Sequence, residues 1–168
     1  MLRRTLLRGV TALVVAAVAL APVPAASARS VTTRVRGNWA NADPCLLTEF
    51  DPSTGRFKCV GSSVWTGGFT GVTEFTVRGT LNLLTGDSSG VIDETFIGRS
   101  YHGISGRLIF TETFRVDGDQ GRIWIHATIV RGSEGFEGSR GQVLFTGLVT
   151  PVGQGAGGYV GRWTRPAP

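Results

Sequence analysis

From residue 30 onward the chain repeats one pattern, in which a run of β-branched and aromatic residues is followed by a short turn containing glycine. The runs recur roughly every 10 to 14 residues, and no segment after residue 30 has helical periodicity of useful length. A closed barrel removes the unpaired edges that so many consecutive strands would otherwise expose. The pattern therefore predicts an all-β antiparallel barrel of about eight strands plus an early hairpin, with a β-sandwich as the alternative architecture.

The turns between these runs define the predicted strands. The early hairpin joins residues 46–50 to residues 56–60 through a turn at 51–55. Further strands are predicted at 69–77, 79–84, 91–98, 105–116, 122–131, 142–150 and 158–164. The segment 117–121 contains Asp117 and Asp119, but an EF-hand calcium loop would also require a glutamate at its twelfth position. We therefore interpret this segment as a turn.

Residues 1–28 have the parts of an export signal. Three arginines precede an apolar run at 10–21, and Ala26-Ser27-Ala28 supplies the small residues that a signal peptidase accepts before Arg29. The apolar run is about a dozen residues long, whereas a membrane-spanning helix needs about 20, so no stable membrane anchor is expected. The sequence predicts a secreted, extracellular protein. Residues 29–64 would form an N-terminal segment with a disulfide-closed hairpin, and residues 65–168 the barrel body of the same domain.

The two cysteines of the chain lie on either side of the early hairpin. If Phe50 faces Arg56 and Leu46 faces Val60, then Cys45 and Cys59 fall within a residue or two of being opposite, which suits the geometry of a disulfide. A metal or catalytic role would require histidine or further cysteine nearby, and none is present. In an oxidising compartment the sequence therefore predicts a Cys45–Cys59 disulfide.

The net charge of the chain changes once the export signal is removed. The full sequence holds 17 basic and 12 acidic residues, for a net charge of +5, and three of the arginines, Arg3, Arg4 and Arg8, belong to the signal. The remaining chain has a net charge of about +2, and along the sequence its arginines are interspersed with Asp and Glu. This pattern argues against a nucleic-acid partner. With only two histidines and no further cysteine, neither a zinc site nor another cofactor is expected.

Two glutamates lie on apolar faces of predicted strands. Alternate side chains of a strand share a face, so Glu94 shares its face with Phe96, and Glu112 shares its face with Phe114. A carboxyl that faces an apolar interior has a raised pKa and can act as a general acid or base, and two close together can share a proton. Glu94 and Glu112 are therefore the candidate catalytic residues. The alternative is that either one pairs with an arginine or lies at the rim of the barrel.

Residues 132–141 carry the most distinctive pattern, Gly-Ser-Glu-Gly-Phe-Glu-Gly-Ser-Arg-Gly, followed by a strand, Pro151 and a cluster of glycines. The spacing of the glycines suits a tight corner, and Phe136 is positioned to plug one end of a barrel. The segment resembles the G-T-G-x-F-x-G-A-R-G pattern of the allene oxide cyclase-like and dirigent β-barrel superfamily, with Ser139 where alanine is usual. The resemblance covers roughly residues 65–165 and extends to uncharacterised secreted actinobacterial proteins of this type.

This resemblance implies an eight-stranded barrel that is often a homo-oligomer and encloses an apolar cavity. Plant cyclases of this type rearrange an unsaturated fatty-acid epoxide, and dirigent proteins steer the coupling of phenoxy radicals. The catalytic residues of neither group have matching positions in this sequence, and a shared fold does not by itself determine function.

Three functional hypotheses follow. The first is an extracellular domain that binds a small apolar ligand or an extracellular partner. The second is a cyclase or isomerase that acts on a hydrophobic substrate inside the barrel, with Glu94 or Glu112 as acid or base. The third is a structural protein of the cell envelope. A cavity lined by these carboxyls would favour a ligand or an enzyme, whereas an interior filled by side chains would favour a structural or interaction role.

Overall fold

A computed structural model describes residues 29–167, and the predicted export signal lies outside these described residues. The described chain consists of nine β-strands joined by turns, which confirms the all-β fold. The strands are β1 Ser30–Asn41, β2 Leu46–Asp51, β3 Arg56–Gly67, β4 Phe69–Leu81, β5 Ser88–Ser100, β6 Ser105–Asp117, β7 Arg122–Glu134, β8 Arg140–Val149 and β9 Gly155–Pro166. Within residues 29–167 there is no helix that is long and apolar enough to cross a membrane.

Eight of the strands form a closed antiparallel barrel. The sheet runs in the order β1-β9-β8-β7-β6-β5-β4-β3-β2, and an additional pairing between β1 and β3 closes it. That closure confirms the predicted barrel and excludes the sandwich. The sequence analysis did not identify β1, although Val35 and Trp39 alternate there with exposed arginines and Asn38 as expected for a half-buried strand.

The ninth strand, β2, continues the direction of β1 along the edge of β3. Asn41 of β1 lies opposite Ser63, and Leu46 of β2 lies opposite Val60, so one interrupted strand pairs with the whole of β3. The predicted pairing of Leu46 with Val60 is confirmed. The predicted pairing of Phe50 with Arg56 is wrong by one residue because of a register shift between Leu47 and Glu49. Such a bulge inserts one unpaired residue into a strand.

The disulfide fastens this interrupted strand to β3. Cys45 precedes β2 and is bonded to Cys59 of β3, with the two Cα atoms 5.6 Å apart, which confirms the predicted pairing. The loop between β8 and β9 also packs here, since the Asn41 side-chain amide donates a hydrogen bond of 2.8 Å to the Gly153 carbonyl. The segment that joins β1 to β2 is thus held to the barrel at both of its ends.

Strand β4 is continuous where the sequence predicts a break. The sequence predicts separate strands at 69–77 and 79–84, but β4 runs without interruption from Phe69 to Leu81. A Cβ atom placed at Gly79 would lie 2.6 Å from the carbonyl oxygen of Ser89 on β5 and 3.0 Å from ring atoms of both Phe57 and Phe114. Glycine is required there by the close approach of the neighbouring backbone and of two interior rings.

Aromatic side chains fill the barrel from its middle to the end at which β3 joins β4, β5 joins β6 and β7 joins β8. The buried rings are Trp65, Phe69, Phe96, Phe110, Phe136, Phe145, Tyr159 and Trp163. Their centroids lie 4.8 to 6.5 Å apart in tilted and edge-to-face contacts, which are favourable arrangements for aromatic pairs. Phe136 closes this end with none of its surface exposed, as the sequence predicts.

Candidate functional site

The two ends of the barrel differ in their exposure to solvent. The end just described is sealed, whereas the other end is ringed by the loops 52–55, 82–87, 118–121 and 150–154. Inward-facing apolar side chains near these loops are only half-buried: Phe57, Phe75, Val77, Val116 and Val149. We call these five side chains the mouth of the barrel. Solvent therefore reaches the side chains of the mouth at this end.

Strand β2 adds apolar side chains above the mouth. Leu47 lies opposite Cys59, and Phe50 lies opposite Phe57, so both project from the same face of the sheet as the inward residues of β3. Leu47 is 55% exposed and Phe50 is 44% exposed. In the loop 82–87, Leu84 is almost entirely exposed. The rim of the mouth therefore carries exposed apolar side chains among the polar residues of its loops.

Both candidate glutamates face the interior below the mouth. Glu94 of β5 retains 7% of its exposed surface and Glu112 of β6 only 2%. Glu94 lies opposite Phe110, and Glu112 lies opposite Ile92, so the two glutamates are diagonal neighbours on adjacent strands. Their carboxyls are close enough for each to shift the pKa of the other. The structure thus places the two predicted residues together inside the barrel, and their catalytic role stays a prediction.

Two hydroxyl side chains that the sequence analysis did not identify complete the cluster. Ser63 of β3 and Thr73 of β4 are buried and lie directly opposite each other, with their hydroxyl oxygens 2.6 Å apart. Ser63 Oγ accepts a hydrogen bond from Trp65 Nε1 and lies 3.4 Å from Glu94 Oε1. Since one hydroxyl donates to the other, the second is free to donate to the carboxyl of Glu94. The signal was available, because Thr73 alternates with Phe69 and Phe75 on the inward face of β4.

The environments of the two carboxyls differ. Burial raises the pKa of Glu94, but hydrogen bonds from Glu112, Thr73 and Ser63 stabilise its charged form and lower the pKa in part. Burial also raises the pKa of Glu112, and the nearby Glu94 carboxyl raises it further, so that it lies well above its ordinary value. Of the two carboxyls, Glu112 therefore keeps its proton to the higher pH.

Two buried polar atoms in this half of the barrel have no hydrogen-bond partner within the described chain. One is Glu112 Oε1, an acceptor, and the other is the indole nitrogen Trp39 Nε1, a donor. Leaving a buried polar group unpaired costs about 1–3 kcal/mol. Trp39 lies on β1 directly opposite Gly157 of β9, and its indole packs over Gly155, where a Cβ atom would lie 3.0 Å from the ring. A group that both donates and accepts, such as a hydroxyl, could satisfy both kinds of atom.

The two histidines lie away from this cluster. His126 is exposed on the outer face of β7, and His102 stacks on Tyr101 in the loop between β5 and β6, with ring centroids 4.0 Å apart. Among residues 29–167 no three His, Cys, Asp or Glu side chains lie close enough together to hold a metal ion. Acid–base chemistry and hydrogen bonding are therefore the functions that the cluster itself can supply.

Comparison with known proteins adds nothing to this geometry. A scan against protein-family models finds no family that matches the chain, and a search of curated proteins finds no match either. The resemblance to the allene oxide cyclase-like and dirigent superfamily therefore stays a prediction, and the chemistry of the site follows from the placement of its own residues.

Proposed function

We propose that the protein is an extracellular domain that binds a small, largely apolar molecule carrying a hydroxyl group at the mouth of the barrel. The observation that carries this proposal is the presence of a buried, unpartnered acceptor, Glu112 Oε1, and a buried, unpartnered donor, Trp39 Nε1, in the half of the barrel that ends at the mouth. The ligand hydroxyl donates to the first atom and accepts from the second. The apolar part of the ligand packs against the mouth and against Leu47 and Phe50, where burial of apolar surface is favourable.

The mouth is a better candidate than the sealed half for this ligand. The aromatic rings from Trp65 to Trp163 fill the sealed half and leave their polar atoms satisfied, since Trp163 Nε1 donates to Ser139 Oγ at 2.9 Å and Trp65 Nε1 donates to Ser63. The carboxyl pair, by contrast, lies where the side chains become half-buried. Ligand binding there removes the desolvation penalty of two unpaired groups, which favours a ligand with a polar head over a plain hydrocarbon.

The experiment is a titration of the protein with 1-nonanol, with n-nonane as the ligand that lacks a hydroxyl. Amide and indole resonances are followed by ¹H–¹⁵N correlation spectroscopy. We expect 1-nonanol to shift the Trp39 indole resonance and to bind more tightly than n-nonane. Glu112→Met, which removes the acceptor, should weaken 1-nonanol binding about fivefold to tenfold. Glu74→Met, on the exposed face of β4, is the matched control and should leave binding unchanged. An unmoved Trp39 resonance, or equal affinity of the Glu112→Met variant, would refute the proposal.

Export of the chain is part of this proposal. The disulfide between Cys45 and Cys59 and the absence of a membrane-spanning helix in residues 29–167 are compatible with an extracellular protein. We expect the segment that ends at Ala28 to direct export and to be removed. Intact-mass measurement of the protein from culture medium should give a chain that begins at Arg29 with two hydrogens fewer than the reduced form. A product retained in the cell with its N-terminus intact would contradict this.

The carboxyl pair supports a second candidate function, an isomerase or cyclase. Two carboxyls whose environments separate their pKa values are a common arrangement for an acid and a base. Here Glu112 carries the proton and Glu94 can accept one. The substrate class implied by the resemblance is an unsaturated fatty-acid epoxide. Incubation with such an epoxide should yield a rearranged product of unchanged mass, and Glu112→Gln should abolish its formation. An unaltered epoxide would remove this candidate without affecting the binding proposal.

A further inference from the structure

Three neighbouring strands of the barrel carry arginine and no acidic residue. Strands β8, β9 and β1 are adjacent in the sheet and contain five arginines but neither Asp nor Glu. The other six strands hold eight basic and eight acidic residues, so their charges balance. The arginines are interspersed with acidic residues along the sequence, but the topology collects the positive charge of the strands on one side of the barrel. We call the outer face of β8, β9 and β1 the arginine wall.

Four of these arginines project outward and are exposed: Arg34 and Arg36 of β1, Arg140 of β8 and Arg162 of β9. Arg34 lies directly opposite Arg162 in the β1–β9 ladder, and like charges in that position destabilise a sheet. None of the four forms an ion pair with any residue in 29–167, where the ion pairs are Lys58–Glu49 and Arg78–Asp93. The fold therefore retains an unfavourable arrangement of charge that an external anion would relieve.

The arginine wall also contains a hollow beside Arg36. Its volume is about 480 Å³. Its lining includes Arg36, Asn38, Thr146 and Gly158, together with the apolar side chains of Leu144 and Val160. Gly158 leaves space on the outer face, because a Cβ atom there would have no neighbour nearer than 3.5 Å. Asn38 and Thr146 flank that space and supply uncharged hydrogen-bonding groups of the kind that contact sugar hydroxyls. The hollow thus adds an open concave surface, with apolar and hydrogen-bonding side chains, to the cluster of positive charge.

We propose that the arginine wall binds an anionic polysaccharide. Residues two apart in a strand are separated by about 7 Å and neighbouring strands by about 4.8 Å, so an extended polymer with repeating charged groups can contact several arginines at once. The sugar rings occupy the hollow beside Arg36, and the anionic groups contact the Arg34–Arg162 pair and its neighbours. The choice of an extracellular polymer depends on the proposed export, whereas binding to the wall can be measured whether or not the chain is exported.

Other anionic partners fit the wall less well. The aromatic side chains of β1, β8 and β9 are all buried, so the wall offers no platform on which the bases of a nucleic acid could stack. A lipid bilayer favours apolar side chains that protrude and insert. The wall exposes Leu148 and Val160, but these lie within strands, whereas the most exposed apolar side chain, Leu84, lies in a loop at the mouth. A concave surface with amide and hydroxyl groups is suited to a carbohydrate chain.

The test measures the affinity of the purified protein for dextran sulfate by calorimetry at several concentrations of NaCl. Uncharged dextran, phosphatidylglycerol vesicles and duplex DNA serve as alternative ligands. We expect tight binding of dextran sulfate that weakens as salt rises, because polyanion binding releases counterions. The Arg34→Gln/Arg162→Gln variant should lose affinity by about tenfold or more and release about two fewer counterions. The matched control is Arg99→Gln/Arg107→Gln, which removes the same charge from exposed positions on β5 and β6 and should change affinity less than about twofold.

Several outcomes would overturn the proposal. Equal losses in the two variants would mean that overall charge, and not the wall, determines binding. Tighter binding of vesicles or DNA than of dextran sulfate would identify a different class of partner. Binding of uncharged dextran with the same affinity would remove the role of the arginines. The effect of Glu112→Met on 1-nonanol binding has no bearing on these results. Failure of the ligand proposal is therefore distinguishable from failure of the polysaccharide proposal.

Discussion

The carboxyl pair inside the barrel should make the protein less stable as the pH rises from mildly acidic to neutral. The pKa of Glu112 is raised in the folded protein above its ordinary value of 4.5 by burial and by the neighbouring Glu94. Between these two pKa values the folded state keeps a proton that the unfolded chain has released. The stabilisation is therefore fully present below about pH 4.5 and is lost as the pH rises through the pKa of the folded state.

The size of the effect follows from proton linkage. One additional proton bound by the folded state lowers the free energy of unfolding by about 1.4 kcal/mol for every pH unit of the window. Two such units would remove about 3 kcal/mol, a substantial part of the 5–15 kcal/mol by which domains are stable. Burial also raises the pKa of Glu94, so Glu94 adds to the loss of stability between its unfolded and folded pKa values. Glu112→Gln keeps a donor to Glu94 and an acceptor at the same position but cannot ionise.

Below pH 4 the dependence should reverse. Hydrogen bonds from the hydroxyls of Ser53 and Thr54 lower the pKa of Asp51 to about 2. A hydrogen bond from the Gly118 backbone lowers the pKa of Asp87. The contributions of these two carboxylates are present above their unfolded pKa values and are lost as the pH falls. Stability should therefore be greatest at about pH 4 to 5.

Urea denaturation of the wild-type protein and of Glu112→Gln at intervals from pH 3 to 8 measures this dependence. We expect the two proteins to be similar near pH 4 and the variant to be the more stable one at pH 7, with a smaller slope between. Glu74→Gln, a change on the exposed face of β4, is the control and should follow the wild type. Parallel profiles for the wild type and Glu112→Gln from pH 5 to 8 would refute the assignment of the proton to Glu112.

Three further substitutions test the packing that supports the site. Tyr159→Phe should reduce the free energy of unfolding in urea by about 1–3 kcal/mol, because the Tyr159 hydroxyl accepts a hydrogen bond of 2.7 Å from the buried Phe69 N–H; an unchanged midpoint would show that this bond contributes nothing. Phe136→Ala should lower the free energy of unfolding by about 3–5 kcal/mol, since the ring is completely buried at the sealed end. A decrease below about 1 kcal/mol would mean that this end of the barrel is not packed as described. Replacement of both Cys45 and Cys59 by alanine should lower the free energy of unfolding by about 3 kcal/mol in the chain-entropy model, and lower the Tm. If reduction of the wild-type protein leaves its Tm unchanged, the disulfide does not stabilise the fold.

The placement of the candidate carboxyls could be predicted because it depends on local periodicity. A strand turns alternate side chains to opposite faces, so Glu94 and Glu112 had to follow the phenylalanines two residues after them into the interior. The hairpin and its disulfide were predictable for a similar reason, since a short turn brings residues on either side of it together. The missing strand, β1, had the same alternation in Val35 and Trp39.

Contacts between strands that are distant in sequence could not be predicted in the same way. The hydroxyl of Ser63 reaches Glu94 only because β3, β4 and β5 lie side by side in a fixed register. The continuity of β4 through Gly79, where the sequence predicts the start of a separate strand, is a second example. The Ser89 carbonyl oxygen of β5 and interior rings of β3 and β6 approach Gly79, and their approach depends on how the strands pair.

The sequence by itself determined the class of fold, the inward direction of the two glutamates and the pairing of the cysteines, because each depends on residues close together along the chain. Closure of the barrel by β1 and β3 decided everything that joins distant segments. The paired strands made diagonal neighbours of Glu94 and Glu112. They left two atoms, Trp39 Nε1 and Glu112 Oε1, without a hydrogen-bond partner in the half of the barrel that ends at the mouth. They also placed arginines from both ends of the described chain on one wall. Periodicity fixes the face on which a side chain lies, but only the order and register of the strands determine its neighbours.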